Sequence, residues 1–510
     1  MIRHLVAAFL LGFMLLSPAL AQLAPPPVPP SQPAAPEAPG PSATLFNTPF
    51  YSCKRNFYVA PDGDDAKDGS QATPWRTIQH ADSASRMPGD CINVAAGTYQ
   101  TKIVIRHGGN APTSNGYVIY RCQVLNKCRV LAPEAGHLWL IESPANFVAV
   151  DGFELDGNGT SLQPDGIADQ CIGSSWDNSR YNPSPFNDSS HHIWVLNNIV
   201  HHCNLAGISF SNREWIYVSH NKVYHNSWTS GYEGSGIALI VLQCIEADNP
   251  SCSDTTGGTP GTGTYKPSGM DLTAFSPFHN VVSWNIATDN SEARSPIPCG
   301  SQTDGNGIIF DTFLAEPKNE ITYPYKSLVH GNLVYANGGR GIHVFASSNI
   351  TIANNTAYGN GMNTCMNAYY LGDLSQAGGE NNIWINNIAQ SIMTAANPAC
   401  GGCGGRNAPL VAGNGRGVVD ANNIYSNNVL YGAAGPKLFD ADVGYFSTAQ
   451  NKITDPLLVG PTTGNFALRS TSPAIGYARP EPNLHSMPTD AGACSPAVAA
   501  CPTPFTPAGE

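Results

Sequence analysis

Two short segments align on one pattern, Glu233-Gly234-Ser235-Gly236-Ile237 and Asp304-Gly305-Asn306-Gly307-Ile308, which puts Glu233 and Asp304 at equivalent positions. A third carboxylate, Asp311, follows Asp304. A further Gly-Ile copy brings Arg340 just before Gly341 and His343 two residues after it. If these segments are neighbouring strands, about 4.8 Å separates the two aligned carboxylates. Such a set suits two chemistries. In the first, Glu233, Asp304 and Asp311 supply oxygen ligands to Ca²⁺, the ion neutralises the carboxylate of an acidic sugar, and Arg340 or His343 helps remove the C5 proton in an elimination. In the second, two carboxylates hydrolyse a glycosidic bond as acid and as base or nucleophile; about 5 Å between them favours retention and roughly 6.5–9.5 Å inversion. Plain structural roles are open to the same residues: turns for Glu233 and Asp304, a loop cap for Asp311, a solvated charge for Arg340 and an inert exposed ring for His343.

The elements that must position these groups come from an internal repeat. Asn-centred segments recur at Val195-Leu196-Asn197-Asn198-Ile199, Val218-Ser219-His220-Asn221-Lys222, Val282-Ser283-Trp284-Asn285-Ile286, Val329-His330-Gly331-Asn332-Leu333 and Ile352-Ala353-Asn354-Asn355-Thr356. Weaker copies sit at Asn387 and Asn428, and a second Asn follows five residues on at Asn226, Asn290, Asn337 and Asn360. Asn198 and Asn221 are 23 residues apart, as are Asn332 and Asn355, a period that signals a solenoid with one coil per repeat. Between the Asn corners lies another strand opening with Gly-Ile, at Gly207, Gly236, Gly307 and Gly341, so each coil supplies at least two strands. Alternation sends the Ile and the apolar residue two further on inward and leaves the positions between them facing out. Stacked Asn side chains can hydrogen-bond from coil to coil at the turns. The interval from Asn221 to Asn285 is 64 residues and from Asn285 to Asn332 is 47, so loops of roughly 40 and 25 residues protrude there, beside the candidate groups. His201-His202-Cys203 invites a metal-site reading, but adjacent residues of a strand point to opposite sides, which favours corner packing. Asp151 and Asp156 read as turn residues.

Composition bounds the rest. The 510 residues are 42% hydrophobic and 12% charged, with 25 Lys and Arg against 37 Asp and Glu, a net charge of −12. That excludes wholesale disorder and makes a nucleic-acid partner improbable. The 51 Gly and 41 Pro punctuate the chain too often for long helices and point to an all-β architecture. Residues 1–21 carry the basic, apolar and small-residue order of a cleavable secretory leader, and no stretch is long enough to span a membrane. Residues 22–45 form a Pro/Ala-rich linker, 46–480 the repeat domain and 481–510 a tail with a Cys pair. All 14 Cys follow the leader, so disulfides are expected, with Cys122/Cys128, Cys244/Cys252, Cys400/Cys403 and Cys494/Cys501 able to staple local loops. Cys400-Gly-Gly-Cys403 has zinc-like spacing, but no second ligand pair is identifiable.

The repeat resembles the right-handed parallel β-helix of the pectate-lyase-like superfamily, over about Asn56 to Ala478. The opening segment Phe57-Tyr58-Val59-Ala60-Pro61-Asp62-Gly63, with Pro74-Trp75-Arg76-Thr77-Ile78-Gln79 and Gly97-Thr98-Tyr99, is similar to the start of family 9 polysaccharide lyases. Asp455-Pro456-Leu457-Leu458 with Ser472-Pro473-Ala474-Ile475 is similar to their closing coil. The resemblance implies a single-stranded parallel β-helix acting on polysaccharide. In that family a Gly-Asn-Gly-led strand carries a Lys base; here Gly305-Asn306-Gly307 is present and Ile309 stands at the Lys position. The paired-Asp calcium motif of those lyases and the Asp-Asp and Gly-His-Gly pattern of β-helical polygalacturonases are missing. The expectation is therefore a secreted, periplasmic or cell-surface monomer that binds polysaccharide. A lyase-like enzyme comes first, a glycoside hydrolase or a non-catalytic glycan-binding or structural protein second. Glu233, Asp304, Asp311, Arg340 and His343 are the site, and Ca²⁺ is the one cofactor.

Overall fold

The computed structural model describes residues 51–494 except 85, 112, 143, 161–164, 175–189, 212, 233, 241–277, 313–322, 324, 368–370, 393–407, 416, 440–449 and 481–488. Glu233, Cys244, Cys252, Cys400, Cys403, Cys501, the leader and the Pro-rich segment lie outside the described residues.

Three long parallel sheets of 11, 11 and 10 strands run through the domain, and consecutive coils contribute one strand to each in turn. One coil, for example, runs Lys326–His330 in the first sheet, Leu333–Tyr335 in the second and Ile342–Phe345 in the third. The architecture is a parallel β-helix with three strands per coil, one more than the repeat alone required. Parallel strands need both faces covered, and the interior does this with columns of apolar residues in register. Val195, Val218, Val282, Val329, Ile352 and Trp384 stack in the first sheet, and Ile208, Ile237, Ile308, Ile342, Leu374 and Leu410 in the third, all fully buried. Each such side chain contributes about 1.5–3 kcal/mol by leaving water. The sole α-helix among the described residues is short, Ile78–Ser83, capped by the Thr77 hydroxyl.

Both corners that flank the second sheet are built alike. A residue in the left-handed region is followed by an Asn whose amide reaches the next coil. At the first corner the ladder runs Asn198, Asn221, Asn285, Asn332, Asn355, Asn387, Asn428, Asn451. Each Nδ2 donates to the next Oδ1 at 2.9–3.1 Å, and every rung is buried. At the second corner Asn226, Asn290, Asn337 and Asn360 form the same ladder, which ends on the Asp373 carboxylate. The preceding residues have positive φ: Asn197, His220, Trp284, Gly331, Asn354, Asn386 and Asn427 at the first corner, and His225, Asp289, Ala336 and Gly359 at the second; His202 has the same conformation one coil before Asn226, where Cys203 stands in place of the Asn. The Gly-Ile motif follows from the ladder. A Cβ on Gly236 would stand 2.5 Å from Asn290 Nδ2, and one on Gly341 would stand 2.7 Å from Asn360 Nδ2, so only glycine fits.

Disulfides Cys53–Cys91, Cys122–Cys128, Cys171–Cys203 and Cys299–Cys365 join described residues. The local Cys122–Cys128 staple matches the spacing; the other three join residues on different coils or loops, which spacing cannot reveal. No helix among the described residues is long and apolar enough to cross a membrane.

Candidate functional site

The extra residues of the coil from Asn285 to Asn332 emerge partly at 289–307, between the second and third sheets, and a further insertion, described over 359–367, lies one coil beyond the next. The Cys299–Cys365 disulfide, a Gln302–Met366 bridge and the bond from Asn363 Nδ2 to Gln302 Oε1 (2.6 Å) tie the two into one wall. Behind this wall the three Gly-Ile strands stand in register as expected, Ile237 beside Ile308 beside Ile342.

A hydrogen-bonded frame crosses these coils. Asn306 Nδ2 donates to Ser235 Oγ and to Asp304 Oδ1, both at 3.1 Å, while its Oδ1 accepts the Arg340 N–H at 2.8 Å. The Arg340 guanidinium donates to the Thr303 carbonyl. Arg340 is 4% exposed, so it is not the solvated charge that its type allowed. Asp304 is half-buried, and its N–H and that of Gly234 donate to Glu292 at 3.0 and 3.1 Å. Glu292, fully buried, was missed from sequence because Asn290-Ser291-Glu292 reads as an ordinary loop. Its two oxygens hold two backbone turns together.

His343 faces outward in the strand alternation, opposite Ile309, but is 4% exposed and not the exposed ring expected of that position. Burial, with the Arg340 charge beside it, pushes its pKa well below the ordinary histidine value, so the ring is neutral. Asp311 ends its strand, level with Phe345, and accepts the Thr312 hydroxyl at 2.5 Å. Asp304 precedes the strand Ile308–Asp311 and Asp311 ends it, about 10 Å along from its first residue. Among the described residues neither joins a group of three metal-ligating side chains. The structure therefore brings Asp304 and Arg340 to one frame, sets His343 beneath the same strands, and keeps Asp311 at the far end. Sequence also passed over Tyr232, 86% exposed, a flat apolar ring with a polar tip.

A second cluster lies at the second corner. Strand alternation predicts that His201 and His202 diverge. His202, however, has φ 59, the left-handed turn folds it back, and its Nδ1 stands 2.6 Å from His201 Nδ1. His201 stacks on Tyr224 and His202 packs at a tilt against His225, so corner packing also holds. Asp156 does make a turn contact, accepting Asn158 N–H at 2.7 Å, but it also ends a second-sheet strand in register with His201 and pairs with Arg129. The ligand atoms of Asp156, His201 and His202 lie within 4.8 Å of one another. Burial and the two neighbouring histidines bring His202 down to about 4. His225 goes the other way: burial opposes its charge, but Asp289 (2.6 Å) and Asp165 (3.3 Å) outweigh that and raise its pKa.

Residues 61–106 match a family described as a protein of unknown function (DUF1565). No curated protein matches the chain. Solved structures with a similar backbone course include pectate lyase Pel9A, at 14% identity over 87% of this chain and 97% of that one (TM-score 0.41). A glycoside hydrolase aligns at 9% identity over 78% and 99% (TM-score 0.45). The A-module of the mannuronan C-5 epimerase AlgE6 of Azotobacter vinelandii aligns at 10% over 74% and 93% (TM-score 0.36). At these identities the likeness is one of fold: the chain is a parallel β-helix similar to those of pectate lyase, hydrolase and epimerase structures.

Proposed function

We propose that the chain is a secreted carbohydrate-active enzyme that cleaves an acidic polysaccharide by β-elimination beside the wall made by residues 289–307 and 359–367. The observation that carries this reading is the frame through Ser235, Asn306 and Arg340, which holds a carboxylate and a guanidinium on three neighbouring coils at a fixed separation. Disulfides among the described residues suit an oxidising compartment.

In this reading Arg340 offsets the charge of the sugar carboxylate. The neutral His343 takes the C5 proton, the C5–H electrons form the C4=C5 double bond, the C4–O bond breaks with its electrons on the oxygen, and Asp304, entering in its protonated form, gives that oxygen a proton; both residues then exchange protons with solvent. Glu233 and Asp311 contact sugar hydroxyls, and Tyr232 supplies a stacking platform. Ca²⁺ would lend charge neutralisation at these carboxylates. Because Asp304 and Asp311 do not converge, no step is routed through the ion.

The test follows reducing ends and ultraviolet absorbance together over a panel of acidic and neutral polysaccharides, with and without Ca²⁺ and chelator. Both signals rise for a lyase, since elimination leaves an unsaturated uronate. Reducing ends alone identify a hydrolase, and silence identifies a binding or structural protein. Asp304→Ala lowers kcat by about 100-fold or more with an unchanged circular-dichroism spectrum; undiminished turnover in that variant removes Asp304 from the mechanism.

A further inference from the structure

We propose that Asp156, His201 and His202 form a binding site for a borderline divalent transition-metal ion of the Zn²⁺ or Co²⁺ type, at the second corner and apart from the Asp304 frame. Two imidazole nitrogens and a carboxylate are the donor set that such ions select over the oxygen-only cages of Ca²⁺ and Mg²⁺.

The geometry points to a cation between the rings. Glu154 Oε1 lies 3.4 Å from His201 Nε2; an ionised carboxylate can only accept, so this contact favours the tautomer with its proton on Nε2 and its lone pair on Nδ1. A carboxylate behind a ligand histidine is the usual outer-shell device for fixing that tautomer. His201 Nδ1 then faces His202 Nδ1 at 2.6 Å, with Asp156 Oδ1 3.7 Å from the former. Lone pairs so close repel unless a proton or a metal ion stands between them. Nitrogens sharing a zinc ion at about 2.0–2.1 Å each stand about 3.0–3.4 Å apart, so a small rotation of the less buried His202 admits the ion. Arg129 engages Asp156 Oδ2 and leaves Oδ1 on the side of the histidines, where its other contact is the Asn158 N–H. Glu154, Asp156, Asp165 and Asp289 outnumber Arg129, Arg294 and His225 around the cluster, so the local field favours a cation.

The molecule holds its own control. His191 and His192 form an equally close pair, 2.6 Å between Nδ1 atoms, with His192 also left-handed at φ 56. That pair is enclosed by rings, Phe147 at 4.5 Å and Trp215 at 5.0 Å from His192. Among the described residues it joins no third ligand group.

Untagged, chelator-stripped protein is titrated with Co²⁺ and followed by its visible ligand-field bands, then challenged with Zn²⁺. One equivalent of Co²⁺ is expected, displaced by Zn²⁺. His202→Asn weakens binding at least tenfold without changing the melting temperature in chelator, since Asn tolerates the same backbone at Asn197 and Asn354. Glu154→Gln weakens it about tenfold through the tautomer of His201. Absence of saturable Co²⁺ binding, or undiminished binding in His202→Asn, overturns the site.

Discussion

The two corners of the second sheet share one construction and put it to different uses. At both, a left-handed residue precedes a ladder Asn, or Cys203 in the case of His202, and its side chain leaves the coil sideways. At the first corner three of these residues hold the chain's own closing segment: Asn354 Nδ2 donates to the Asp490 carbonyl, Asn386 Nδ2 to Arg479 and Asn427 Nδ2 to Tyr477, at 2.8–3.2 Å. The segment then covers the outward apolar residues Ile286, Leu333, Ile388 and Val429 with Leu458, Phe466, Leu468 and Ala491. At the second corner the equivalent positions carry His202, His225 and Asp289, which gather carboxylates instead of backbone. The ladder sets the shape of the corner, and the residue before it is left to carry either docking or chemistry.

If both corners depend on their ladders, equivalent rungs are equally costly. Asn285 and Asn290 each make two amide donations and accept two bonds, so Asn285→Ala and Asn290→Ala each lose about 2–5 kcal/mol. Thermal and guanidinium unfolding measure this. A much milder Asn290→Ala would mean that the Cys299–Cys365 wall, not the ladder, holds the second corner.

The ladders differ at their ends, and that difference depends on pH. Asp373 terminates the second ladder fully buried; burial outweighs the two bonds from Asn360 and pushes its pKa to about 7. A carboxyl whose folded pKa lies above its unfolded value near 3.9 stabilises fully below about pH 4, and that contribution is lost as pH rises towards 7. Asp373→Asn keeps the acceptor and removes the ionisation. The variant should be more stable than the parent at pH 8, by an order of 1–4 kcal/mol, and the gap should close by pH 4. A constant gap between pH 4 and 8 would show that Asp373 does not titrate in that range.

The smallest effect separates the docking residues from the ionisable ones. Asp289→Asn removes the nearer of two carboxylates on His225, so the His225 resonance titrates at lower pH, as nuclear magnetic resonance can follow. Because His225 has a raised pKa, its stabilisation is present below about pH 6.5 and is lost as pH rises through its folded value. The variant should therefore lose about 1 kcal/mol or less near pH 5.5 and nothing at high pH. An unmoved His225 titration would assign its charge to Asp165 alone.

Much of the scaffold was legible because its signals are local and repeated. Asn198 to Asn428 and the second Asn column, five residues on, recur in coil after coil, and each rung is explained by a contact to an Asn one coil away, while the Gly-Ile glycines are explained by the Asn amides that crowd them. The candidate site was legible in part. The register of Gly236, Gly307 and Gly341 followed from alignment, whereas Glu292 and Tyr232 carried no periodic mark. The third strand of each coil was also hidden, because three-residue strands such as Leu333–Tyr335 and Ile388–Gln390 are too short to show alternation.

By itself the sequence determined that the chain winds into a solenoid of parallel strands with Asn ladders at its corners, since that follows from residue types repeated along one dimension. Only the tertiary structure decided which polar groups are buried and which converge. Arg340 and His343 lost their exposure to surroundings that no local pattern encodes. His201 and His202 came together because a left-handed corner residue breaks the alternation on which sequence parity depends.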